Sequence, residues 1–503
     1  MKQCIWTYGG LLLLTCFALV FPGCTNLEED PDFISPNNFY RNGDEVVTAV
    51  NGIYDDLGAG WGNIMYARYC FDCVLGYSIG YEKEPLNYAS GALAPDSWVV
   101  GSYWQTSYRA INKANIVITR TPEVEMEEDL KRRVMGEAKF LRAFFYYHLA
   151  VYFDDIPVSE EPTTELGDYA SNEGGKEKAL QLAISDFREA VELLPESYEG
   201  ADIGRATKWA ALGFLAKTYL ETGQWAEAMQ TAEQVVNASP DNGVYLFDDF
   251  TFNFDSEHEN MGERIFELQS SYTASPSENS NIHAHFTPTD WAGPDCNTTS
   301  ASGWADAWIW GQPEFRMTYE DGDQRIQGTF LESYCSRNVN DIVTWDPNAP
   351  SNFVGAGSAS RTYRSAYVSK YLEKDIPNWD RTERNFSFLR YADVLLAHSE
   401  AANEAGSGDP YLGINLVRTR AGLAPLSGLG QADLRDAIIE ERNKEFAFEG
   451  QTLPNLKRKG VDRVAAMIEK YTGRKVDGNR DAVIPIPTQE VNANPNVSQN
   501  QYW

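Results

Sequence analysis

Three glutamates, Glu441, Glu445 and Glu449, recur at intervals of four residues. On a helix that spacing sets successive carboxylates one turn apart on a single face, an arrangement that could support general acid–base chemistry. The same spacing suits packing, because a carboxylate withdrawn from water must meet a cation. Arg142, Arg390 and Arg442 are candidate cations in blocks that read as packed helices, with Asp393 a further acid among them. Ion pairing between packed helices is the preferred reading. Cys70-Phe-Asp-Cys73 has the spacing of a redox dithiol or half a zinc site, but a single pair without a second is a weak metal signal. His283 and His285 stand two apart in loop-rich sequence and form no metal motif. The sequence has no GxSxG elbow, HExxH helix, phosphate-binding loop or ordered Ser/His/Asp set. A binding protein without metal or cofactor is expected, not an enzyme.

The elements that must position these groups are mostly helices. Apolar residues recur at helical spacing in four segments: Val46 to Leu57, Trp104 to Ile118 before Pro122, Leu130 to Tyr152, and Leu180 to Leu194 before Pro195. One pattern occurs twice. Ala183, Phe187, Ala190 and Pro195 recur as Ala228, Ala232, Val235 and Pro240, with the same offsets. Small residues at that spacing let paired helices approach closely, which is the second-helix signature of a tetratricopeptide unit. Leu212, Leu215, Ala216 and Tyr219 supply the preceding helix. Residues 241–387 are richer in proline, glycine, serine and asparagine, lose the helical period and concentrate Trp291, Trp304, Trp308, Trp310 and Trp345. Helices are expected again at 388–405, 411–420 and 432–448. The tail Ile484-Pro-Ile-Pro487 is extended, since proline denies its predecessor the helical region. The fold class expected is mostly α, a tetratricopeptide-like superhelix with a loop-rich mixed subdomain laid over it. Its parts are 24–240, 241–387 and 388–503.

The N-terminus carries an address. Leu11 to Phe21 is an apolar run behind a single Lys2, long enough for a signal peptide and too short to span a bilayer. Pro22-Gly23-Cys24 follows, with Phe21 where lipoprotein boxes often have leucine. Residues 1–23 read as a lipoprotein signal and Cys24 as the lipidated residue of an anchored protein. Lys plus Arg number 42 against 73 Asp plus Glu, a net charge of −31. Such a surface repels phosphate backbones, so nucleic acid is not expected as a partner. Cys70, Cys73, Cys296 and Cys335 remain outside the cytoplasm with their pairing open.

Several blocks in fixed order now carry a resemblance. They include YWQTSYRAINKAN (103–115), GEAKFLRAFFYYHLAVYFDDIPV (136–158), GRATKWAALGFLAKTYLETGQW (204–225), FLRYADVLLAHSEAANE (388–404), IIEERNKEFAFEGQ (438–451) and VIPIPTQEVNANPNVSQNQYW (483–503). Together they resemble the SusD/RagB family of outer-membrane nutrient-binding lipoproteins. The chain departs from the family after Gly450, where Thr452 and Asn455 replace an arginine and an Asp-Leu pair. The resemblance implies a surface protein that binds oligosaccharide or another nutrient and acts as a lid for a SusC-like TonB-dependent transporter. Glu28-Glu29-Asp30 is similar to the acidic export signal of Bacteroidetes surface lipoproteins, which implies an outer-membrane anchor facing the exterior. A peptide receptor, as in the RagB branch, is the alternative, and a surface glycoside hydrolase a more distant one.

Sugars present apolar C–H faces beside many hydroxyls, so a surface that binds them needs exposed rings next to amide and carboxylate groups. Two stretches meet that requirement. Trp61, Asn63, Asp72, Tyr81 and Trp98 form one, and Trp291, Trp304, Trp308 and Trp310 the other. These nine residues are the expected ligand-binding set.

Overall fold

The computed structural model describes residues 39–58, 64–80, 83–163, 167, 169–271, 282–296, 308–373 and 382–503. The signal segment, Cys24, Trp61, Asn63, Tyr81 and Trp304 lie outside the described residues. Asn42–Trp503 is one unit.

The four expected N-terminal helices run Gly43–Gly58, Trp98–Arg120, Glu128–Phe153 and Gly175–Leu193. Val46, Val50, Ile53 and Leu57 all point inward from the first, as their spacing requires. Glu128–Phe153 is the central element. From Phe140 to Phe153 every residue is buried, and the helix packs against both Trp98–Arg120 and Gly175–Leu193. The repeated pattern forms the expected helix pairs: Lys208–Glu221 packs on Gly175–Leu193 on one side and on Trp225–Ala238 on the other. Ala183, Ala190, Ala228 and Ala232 are fully buried where these helices meet, so the small side chains do set the approach. Thr207 caps Lys208–Glu221, its hydroxyl accepting from the Ala210 N–H at 3.3 Å.

Small sheets interrupt the helices. Their strands are β1 (Ser78–Ile79), β2 (Arg264–Leu268), β3 (Trp291–Gly293), β4 (Trp310–Gly311), β5 (Ser333–Ser336), β6 (Asp341–Trp345), β7 (Thr362–Tyr363) and β8 (Phe386–Arg390). β1 pairs with β4 and β2 with β8, while the third sheet runs β3-β5-β6-β7. Cys296 and Cys335 are disulfide-bonded beside that sheet, and Cys70 and Cys73 are free and buried.

The structure corrects the C-terminal reading at its first helix. Residues 386–390 are strand, and the helix begins at Tyr391 and ends at Ala405. Phe386, Phe388 and Leu389 are buried on a strand paired with β2, and a segment of only five residues is too short for its period to separate strand from helix. Leu412–Arg420 matches its expected span within one residue, and Gln431–Glu445 stops three residues early. Ile64–Cys73 is a helix not read from the sequence. All ten of its residues are buried, Arg68 and Asp72 included, so no solvent-facing stripe marks it in the sequence. Thr452–Arg458, Val461–Thr472 and Thr488–Ala493 are further helices not read from the sequence. Ile484–Pro487 is extended as expected. Among the described residues no helix is long and apolar enough to cross a membrane.

Candidate functional site

Four chain segments bring aromatic rings together near one surface. Tyr66 comes from the buried Ile64–Cys73 helix, and Trp98 opens Trp98–Arg120. His285 lies on a short helix, Ile282–Phe286, and Trp308 precedes β4. The Tyr66 and Trp98 rings are 5.8 Å apart and nearly parallel, at 18°. Tyr66 meets His285 at 4.7 Å and Trp308 at 5.7 Å, and His285 stacks on Trp308 at 4.6 Å. Tyr66 and His285 are buried and form the backing, whereas Trp308 is half-buried and Trp98 is 42% exposed. An indole this large left in water at the rim of a ring cluster is an apolar face available for stacking.

Local chemistry holds these rings in place. Ser97 precedes Trp98, and its hydroxyl is 2.6 Å from the Tyr88 hydroxyl. The Ile309 N–H donates to the His285 carbonyl at 3.0 Å, and β4 then pairs with β1. Gly80 closes the corner. A Cβ there would lie 2.1 Å from the Trp308 carbonyl oxygen, so only glycine lets the two segments touch.

Of the nine expected residues, Trp98 and Trp308 join this cluster. Three others do not serve a surface. Trp291 and Trp310 are 2% and 8% exposed and pack with Tyr334, Val343, Tyr363 and Tyr367 in a core cluster. They lie on strands of different sheets, β3 and β4, yet both rings pack into this one cluster, a direction that the spacing of tryptophans in sequence does not reveal. Asp72 is buried, and its carboxylate accepts from the Thr452 N–H at 3.1 Å, the Leu453 N–H at 2.9 Å and the Tyr77 hydroxyl at 3.2 Å. Burial pushes its pKa up, while those backbone donors and Arg68 oppose the shift. Asp72 thus caps the Thr452–Arg458 helix, and the Thr452 hydroxyl bonds to Tyr77 at 3.1 Å. Tyr66 and His285 were missed. Their only sequence signal was proximity to the two tryptophan stretches.

The regularly spaced glutamates are consumed by ion pairs. Arg325 meets Glu441 at 2.6 Å and Glu445 at 3.2 Å, and Arg420 meets Glu445 at 2.6 Å. Arg390 bonds Glu445 at 2.9 Å and Glu449 at 2.8 Å, and Glu449 also takes Lys370 at 2.7 Å. Burial pushes the Glu445 pKa up, but Arg420, Arg390 and Arg325 outweigh it and hold the carboxyl far below its usual range. Asp393 is lowered to about 2: burial raises it, and Lys217 and Arg442 overcome that. Carboxylates held this low do not donate protons near neutrality. Cys73 is equally unsuited to redox chemistry, because burial pushes its thiol up to about 12. Among the described residues no group of three or more His, Cys, Asp or Glu could hold a metal ion.

Comparison with known proteins follows the same outline. Residues 254–503 match the family model described as "SusD family", and residues 28–220 match one described as "Starch-binding associating with outer membrane". The chain is similar to "SusD-like protein P2" of Formosa agariphila, 27% identical over 96% of this chain and 97% of that protein. It is also similar to "Starch-binding protein SusD" of Bacteroides thetaiotaomicron, 22% identical over 78% of this chain and 76% of that one. Among solved structures, a "Laminarin binding SusD-like protein" superposes with a TM-score of 0.75 at 22% identity, covering 92% of this chain and all of the other.

Proposed function

Because this chain belongs to the SusD family, we propose that it is a surface glycan-binding lipoprotein that captures oligosaccharide for a SusC-like TonB-dependent transporter and closes over its mouth as a lid. The observation that carries the ligand class is the exposed Trp98 indole, continuous through Tyr66 and His285 with half-buried Trp308. The names of its relatives, starch-binding and laminarin-binding, support the same ligand class. Gly23-Cys24 supports a lipid anchor, and the "associating with outer membrane" description supports the compartment. Glu28-Glu29-Asp30 is what supports an exterior orientation. Binding without turnover fits a molecule whose spaced carboxylates are spent in ion pairs.

The test is a glycan array read against the soluble mature protein, followed by calorimetry of the best ligand with Trp98→Ala and Trp308→Ala. A sugar face on one indole removes on the order of 50–100 Å² of apolar surface from water, about 1–2.5 kcal/mol at ~25 cal/mol per Å². Each substitution therefore weakens binding roughly 5- to 70-fold. Trp98→Ala leaves the thermal midpoint in place, because an exposed ring leaves no core cavity. Unchanged affinity in both variants would refute the platform.

A further inference from the structure

A cleft of about 290 Å³ lies between the segment leading into Lys208–Glu221 and the loops that precede β2 and form its start. Its walls include Tyr198, Trp209 and Asn242, and each contributes a buried polar atom without a hydrogen-bond partner: the Tyr198 hydroxyl, the Trp209 Nε1–H and the Asn242 Nδ2. Folded proteins leave few such atoms orphaned, and three on one cleft mark a place where a bound molecule supplies the missing partners. Trp209 is 6% exposed, so its N–H is a donor out of bulk water. The Asn242 amide is oriented by its own backbone, since its Oδ1 accepts from the Val244 N–H at 2.9 Å and leaves the NH₂ end as donor. Burial, reinforced by Glu137, pushes the Tyr198 phenol well up and keeps it a hydroxyl.

The chemistry of the walls narrows the occupant. Two obligate donors and a hydroxyl call for oxygen acceptors on the ligand. Charged groups at the cleft are already matched: Arg205 with Glu137 at 2.8 Å and Asp202 at 2.6 Å, Arg264 with Glu267, and Glu196 with Lys208 at 3.0 Å. An ion would find no free countercharge there. The remaining surface is mixed, with Ser197, Thr207 and Asn260 beside Ile203 and Met261, which stand 50% and 43% exposed. Gly204 keeps this wall close, at φ 95° where a Cβ would strike the Gln269 side chain at 2.4 Å. The volume lies just below the ~300–1,000 Å³ typical of ligand sites and far above the ~30 Å³ share of one water. We propose that this cleft is a second carbohydrate site, separate from the Trp98–Trp308 face, that takes a single neutral pyranose ring.

Saturation-transfer NMR on the full mature chain carrying Trp98→Ala and Trp308→Ala isolates the cleft from the first site. The probes are the methyl glycosides of glucose, galactose and mannose, with sodium glucuronate as the anionic arm. At least one neutral glycoside is expected to half-saturate at about 1–10 mM, the affinity of a ligand this small. Glucuronate is expected to bind at least tenfold more weakly. Met261→Trp fills the mouth without touching a hydrogen bond, and Asn242→Leu removes a donor; each is expected to cut the transfer signal at least tenfold, with circular dichroism and melting confirming the fold of Met261→Trp. No transfer from any of the three glycosides, transfer indifferent to Met261→Trp, or tighter binding of glucuronate would each overturn the proposal. None of these outcomes bears on the Trp98–Trp308 face, which this background has already removed.

Discussion

Glu445→Gln is the sharpest test of what holds the C-terminal helices and the segments carrying Arg325 and Arg390 together. The carboxylate is fully buried and bonds Arg420 at 2.6 Å, Arg390 at 2.9 Å and Arg325 at 3.2 Å. Gln keeps the shape and removes the charge, leaving three guanidinium groups short of one anion in a medium of low dielectric. Breaking a buried pair from one side costs about 3–5 kcal/mol, because the partner's charge stays buried and uncompensated. Unfolding entropy near 2.1 cal/mol/K per residue gives about 1 kcal/mol/K for the roughly 460 residues from Asn42 to Trp503, so the midpoint falls by about 3–5 °C. The same site predicts the pH profile. Its folded pKa is depressed, so its contribution is complete above the unfolded glutamate value of about 4.3 and is lost as pH falls through the folded value. Calorimetric melts of wild type and variant from neutral pH down to about pH 3 measure both, and the gap between the two proteins should narrow in acid. The exposed pair Arg361–Asp341 is the control, and Asp341→Asn should leave the midpoint where it was. A Glu445→Gln variant that melts with wild type at neutral pH refutes the claim that these arginines depend on that charge.

Four further outcomes are expected. Cys335→Ser opens the Cys296–Cys335 bridge across a sequence separation of 39, which loop entropy values at about 4 kcal/mol, so the midpoint should drop by a few degrees under calorimetry. Cys70 and Cys73 should stay silent to a thiol reagent until the protein unfolds, since both are buried and the Cys73 thiol is pushed up to about 12; rapid labelling of the native protein would contradict that burial. Cys24→Ser should move the protein from the membrane fraction to the soluble one, because stable anchoring needs several acyl chains that only the lipidated cysteine carries. Gly80→Ala should disturb the Trp308 corner and weaken glycan binding about as much as Trp308→Ala, with equal affinity to wild type as the contrary result.

Local pattern and block order in the sequence determined the helical frame, the tetratricopeptide pairing and the family. Val46 to Leu57, Ala183 to Ala190 and Ala228 to Val235 each declare which face is buried, because an amphipathic helix writes its orientation into a 3.6-residue period. That Glu441, Glu445 and Glu449 are spent in ion pairs was legible too, since buried charge requires partners. Of the three arginines expected, though, only Arg390 meets them: Arg142 pairs with Asp186 and Arg442 with Asp393, and the fold brings in Arg325 and Arg420 instead. Tertiary structure alone decided which rings face water. Trp98 and Trp291 are the same residue type in similar loop-rich sequence, yet one is 42% exposed and the other 2%. An indole suits core and surface equally well, so its side is set by what other segments bring to it. Tyr66 and His285 arrive behind Trp98 and Trp308 from distant parts of the chain, while Tyr334 and Tyr363 close over Trp291. The same holds for Asp72, whose partners at Thr452 and Leu453 lie some 380 residues away. A helix buried on every side, such as Ile64–Cys73, presents no solvent-facing stripe for the sequence to declare, and only the fold around it reveals that it is one.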